Sequence, residues 1–80
     1  MDDRQLVRTL RSVGMEASET FYDQFADASL SNQQVAELLK EERSSYTNGS
    51  CLSRVGHARM IIRDGRGHDA LLLCARRKTR

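Results

Sequence analysis

Hydrophobic residues in this chain recur at spacings of three and four, the pattern of helices that each bury one face. The sharpest case lies between Leu30 and Leu39. Ser31 and Gln34 fit a Ser-x-x-Gln capping box, in which each side chain satisfies a backbone N–H at the helix start. Leu30 and Val35 occupy the two staple positions around that box, and Val35, Leu38 and Leu39 make one apolar face. These signals predict a helix over 31–42. A second pattern runs over 49–64, where Cys51, Val55, Ala58 and Ile62 fall within one narrow arc at about 100° per residue. Ser53, Gly56, His57 and Met60 lie opposite, with Arg54 on one flank and Arg59 and Arg63 on the other.

The remaining stretches are shorter. Asp2 or Asp3 can cap a helix over 3–13 with Leu6, Leu10 and Val13 on one face and Val7 beside them. Gly14 follows, where a left-handed C-terminal cap belongs. A helix over 15–27 is predicted with Ala17, Phe21, Phe25 and Ala28 inward. Asp64-Gly65-Arg66-Gly67-His68-Asp69 reads as a loop, its last residue capping a helix from Ala70 to about Lys78. Leu71, Leu72 and Leu73 cannot all face one way on that helix. One or two of them complete the core, or make a homodimer or partner-protein contact. Residues 76–80 form a basic tail. The predicted fold is all-α: one domain over residues 1–80, a small four- or five-helix bundle containing a helix-turn-helix.

Composition narrows the picture. Twenty Leu, Ile, Val, Met and Phe residues permit one core of thin margin. Proline is absent, which favours helices over strands. The start Met-Asp-Asp-Arg carries no apolar run of a signal peptide, and the longest such run, 70–75, is too short to span a bilayer. A soluble, cytoplasmic protein is the expectation. The net charge of +2 conceals an asymmetry: residues 1–42 hold four basic and nine acidic side chains, residues 43–80 nine basic and two acidic. Eight of those nine are arginine, the side chain suited to phosphate and guanine contacts, so a polyanionic partner is implied.

At the second helix of the pair a family likeness enters. Gly49-Ser50-Cys51-Leu52-Ser53-Arg54-Val55-Gly56-His57-Ala58-Arg59 resembles the Gly-Thr-Val-x-Ser-Arg-Leu-x-x-Ala-Arg run of the C-terminal promoter-reading domain of extracytoplasmic-function sigma factors. Val35-Ala36 with Leu39 is similar to the Ile-Ala-x-x-Leu preceding it there. The resemblance implies a recognition helix in the major groove, with Ser50, Ser53 and Arg54 toward DNA. It does not extend to Leu52, where that family prefers a basic residue, nor to the long connection from Arg43 to Asn48. DNA-binding geometry is what carries over, not promoter initiation.

Other chemistry finds little footing. Cys51, His57, His68 and Cys74 match no paired-ligand zinc spacing, and the cysteines read as small buried hydrophobes. No cofactor is indicated. A cysteine with two histidines, lacking any orienting motif, does not make an enzyme. The reading is a small DNA-binding transcriptional regulator whose partner is double-stranded DNA. Ser50, Ser53, Arg54 and His57 read base edges, and Arg59, Arg63 and Arg66 neutralise phosphates. A helical protein-interaction adaptor and an RNA-binding protein are the alternatives.

Overall fold

The fold is known from a computed structural model that describes residues 1–78. Among these residues there are six helices and no strand: α1 (Asp3–Val13), α2 (Met15–Thr20), α3 (Tyr22–Ala26), α4 (Asn32–Glu42), α5 (Asn48–Arg63) and α6 (Gly67–Lys78). The all-α class is as the hydrophobic pattern predicts. No helix among them is long and apolar enough to cross a membrane. The basic tail expected from residue 76 is helical through Lys78; Thr79 and Arg80 lie outside the described residues.

Local signals place most boundaries. Asp2 caps α1 in a full capping box with Gln5, and Ser31 caps α4 in the same way with Gln34. Thr47 caps α5 by accepting from the Ser50 amide at 3.0 Å, so this helix starts one residue earlier than expected. At its other end Gly65, at φ +75°, turns the chain left-handed, and the Gly65 and Arg66 amides bond back to Ile62 and Ile61 carbonyls at 3.0 Å each. That is a Schellman closure, and only glycine adopts the conformation without strain. The loop it opens is shorter than predicted. Gly67 and His68 already belong to α6, and Asp69 lies in its first turn rather than capping it.

The predicted 15–27 helix is two helices. Backbone bonds continue on both sides of Phe21, yet this residue itself departs from helical geometry at φ −111°, ψ 16°. The bend turns α3 so that Phe21 and Phe25 both enter the core, their ring centroids 6.4 Å apart. The chain then leaves the helix at Asp27, whose carboxylate accepts from the amide and hydroxyl of Ser29. Such an Asx turn competes with helical bonding. Ala28 therefore ends up exposed, not inward as predicted.

At the centre is α5, packed by α1, α3, α4 and α6. Cys51, Val55 and Ala58 are buried as the periodicity predicts, but Ile61 joins them while Ile62 is only half-buried. Neighbours on several sides widen the buried arc beyond the single stripe that a surface helix needs. The reverse holds for α4, which packs chiefly on α5. Its buried face is Val35, Ala36 and Leu39, and Leu38 remains 38% exposed. Cys51 and Cys74 are both buried, the small hydrophobes expected of them.

Candidate nucleic-acid interface

Polar and apolar spacing along α5 leaves one face uncovered. Gly49, Ser53, Gly56, Met60 and Arg63 succeed one another at steps of four and three, which keeps them on one line down the helix. Ser53, Met60 and Arg63 are exposed, and Gly56 and His57 half-buried. A Cβ at Gly56 would meet no atom within 4 Å, nor would one at Gly49. Neither glycine is required by packing inside the molecule. Mid-helix glycine costs about 1 kcal/mol relative to alanine, with no internal contact here to offset it.

The flanking arginines behave differently from one another. Arg54 bends away from solvent: its Nη1 donates to the Val13 carbonyl at 2.7 Å, its Nε to Ser50 Oγ at 3.1 Å, and its guanidinium stacks 3.9 Å from the Tyr46 ring centroid. Gly14 makes room for this contact. With φ +97° it closes α1, and a Cβ there would stand 3.1 Å from Arg54 Nη1. Ser50 thus serves Arg54 as an acceptor and is half-buried.

Arg59 is more fully engaged. It donates to the carbonyls of Phe25 (3.1 Å), Asp27 (3.0 Å) and Gln24 (3.4 Å), and to Asn32 Oδ1 (2.7 Å). Those carbonyls belong to the last turn of α3 and the residue after it, where helical partners run out. Arg59 therefore ties α3, the Asx turn and the start of α4 to α5. Its charge, after the larger effect of the two Ser29 hydrogen bonds, also helps hold the Asp27 carboxyl below its ordinary pKa.

Arg66 is neutralised outright. Its Nη2 meets Asp3 at 2.6 Å, its Nε meets Asp69 at 2.7 Å, and its Nη1 donates to the Met1 carbonyl at 2.6 Å. Asp3 first, and then Asp69, push the guanidinium pKa above its ordinary value. Within the molecule Arg66 clasps Met1 and Asp3 to the first turn of α6, just after the Gly65 turn that closes α5.

Of the seven residues singled out from the sequence, Ser53, His57 and Arg63 line the open face of α5. Ser50 and Arg54 form a supporting pair behind it, and Arg59 and Arg66 are bound elsewhere. Sequence reasoning missed Tyr46 and Thr47. The second was legible, because threonine three residues ahead of Ser50 is a good cap signal; nothing local marks Tyr46 as the platform for Arg54. The long connection of α4 to α5 is held by Lys40, whose ammonium donates to the Ser44 and Tyr46 carbonyls. Among the described residues no cluster of three or more His, Cys, Asp or Glu side chains could hold a metal. Comparison with protein families, with curated proteins and with solved structures finds no match to this chain.

Proposed function

We propose that the protein binds double-stranded DNA through the open face of α5, acting as a small transcriptional regulator. The observation that carries this reading is Gly56. It sits mid-helix with open space around it, on a strip whose first three residues, Gly49, Ser53 and Gly56, are small, in a helix holding three arginines and no acidic residue. A groove-bound helix needs such a strip for close approach to base edges, and cations nearby for phosphate. Ser53 and His57 are the base-facing groups in this reading, and Arg63 is the phosphate contact. Among the described residues Arg54 bonds to a carbonyl, a hydroxyl and a ring and to no carboxylate, so its charge adds to the local field while it braces the helix.

Duplex binding measured against salt tests this. The logarithm of affinity should fall linearly with the logarithm of salt, with a slope of about −1 to −3, and Arg63→Gln should reduce the slope by about 0.9. Gly56→Ala should weaken binding while raising thermal stability, since it adds helix propensity where nothing obstructs a methyl group. Absence of duplex binding at low salt would remove the reading.

A second reading rests on Leu52 and Met60, which are 39% and 44% exposed. Apolar side chains beside this face suit a protein partner better than phosphate, and an adaptor would show no salt-dependent affinity for DNA. Competition between duplex DNA and structured RNA separates the third possibility, RNA binding.

A further inference from the structure

Two other faces of the molecule are electrostatically unfavourable as they stand, and they have opposite sign. On α1, Arg4, Arg8 and Arg11 are exposed at spacings of four and three, and none makes an ion pair among the described residues. Like charges so spaced on a helix repel one another. Val7 lies beside them, on the side toward α6. A groove of about 320 Å³ continues from it across to Leu72 of α6, which is 44% exposed. Asp3 and Asp69 line the groove too, but both are paired with Arg66, so the arginine row of α1 makes this face basic along one edge, beside an apolar seam.

The outer face of α4 is its counterpart. Glu37 and Glu41 are exposed four residues apart, again a repelling pair, with Leu38 beside them. Lys40, the cation nearest in sequence, is turned onto the Ser44 and Tyr46 carbonyls, so it does not bridge to either. Across the α4–α5 groove stands Leu52, 39% exposed. This is an acidic face with apolar side chains at both edges. No salt bridge joins the two faces within one molecule among the described residues.

We infer that the α1–α6 face of one copy docks on the α4 face of a second copy, Arg8 and Arg11 against Glu37 and Glu41, with Leu72 and Val7 against Leu38 and Leu52. Each copy carries both halves of the contact, so the complementary partner is present at the protein's own concentration. Docking relieves two like-charge repulsions at once and removes three exposed apolar side chains and the half-buried Val7 from water. The two faces differ, so the contact is heterologous: it propagates head to tail and ends only by closing into a ring. This inference uses α1, α4, α6 and, from α5, Leu52 alone, and none of the residues given to DNA.

Sedimentation velocity of the full chain without DNA, at about 0.1 M and about 1 M salt, tests it, since screening shortens from about 10 Å to about 3 Å over that range. At low salt the mass should rise above the 9.1 kDa monomer with increasing concentration, and it should return to monomer at high salt. Arg8→Glu with Arg11→Glu leaves a copy with two acidic faces; Glu37→Lys with Glu41→Lys leaves one with two basic faces. Each variant alone should stay monomeric, with an unchanged thermal melt to show that the fold is intact. An equimolar mixture of the two should recover salt-sensitive association. A wild type that stays monomeric at low salt, association that survives either double reversal, or a mixture that stays monomeric would each overturn the inference. None of these outcomes bears on DNA binding by α5.

Discussion

Replacing Arg59 separates a structural arginine from a phosphate-binding one. Its guanidinium donates to four acceptors spread over residues 24–32, namely the carbonyls of Gln24, Phe25 and Asp27 and the side chain of Asn32. A hydrogen bond to a charged donor contributes about 1.5–3 kcal/mol. The four share one side chain and do not add, and water can reach some of the released carbonyls. Arg59→Ala should therefore cost about 2–4 kcal/mol, a large part of the roughly 5–15 kcal/mol that holds a small domain together. At this chain length each kcal/mol moves the melting temperature by about 4–8 °C, so the transition should fall by at least about 8 °C. Arg59→Lys keeps the charge but not the planar fork, and about half the loss should remain. Thermal melts followed by circular dichroism give the stability; duplex affinity, measured well below the melt, gives the function. An unchanged melt with a selective loss of DNA affinity would refute the argument and return Arg59 to the phosphate contacts.

Three further outcomes follow from the same geometry. Gly14→Ala should cost about 1–3 kcal/mol in a denaturant titration, because φ +97° strains any side chain and the new methyl crowds Arg54 Nη1 at 3.1 Å. Ile61→Ala should destabilise by about 2–5 kcal/mol and clearly more than Ile62→Ala, the reverse of what the α5 periodicity alone implies. The Asp27 carboxyl, held below its ordinary value of 3.8 mainly by Ser29, contributes stability that is fully present above that value and lost as pH falls through its folded pKa. Its titration followed by NMR should show a midpoint below 3.8, and Ser29→Ala should raise that midpoint.

Sequence alone determined the features that depend on a few neighbouring residues. The capping box at Ser31 and Gln34, the span of α1, the core residues Val35, Leu39, Cys51, Val55 and Ala58, and the all-α class each rest on contacts within about one or two helical turns. Such contacts depend on spacing, and spacing is written in the chain. Which part of each helix is covered depends instead on how many neighbours it has. Ile61 is buried because α5 is packed from several sides, and Leu38 is open because α4 rests chiefly on one neighbour.

Charge was the least legible property. The acidic first half and basic second half look like two poles along the chain, but the fold lays one upon the other. Arg66 meets Asp3, Arg43 meets Glu16 at 3.1 Å, and Arg77 approaches Glu19. Arg54 and Arg59 reach back 41 and 34 residues to the ends of α1 and α3. An arginine is a long side chain with five donors, and its partner can be any carbonyl or carboxylate that the tertiary structure brings near. Whether an arginine faces a ligand or ties down the fold is therefore decided by packing. Of the four arginines singled out, only Arg63 is left in the open on the face of α5 that its spacing predicts.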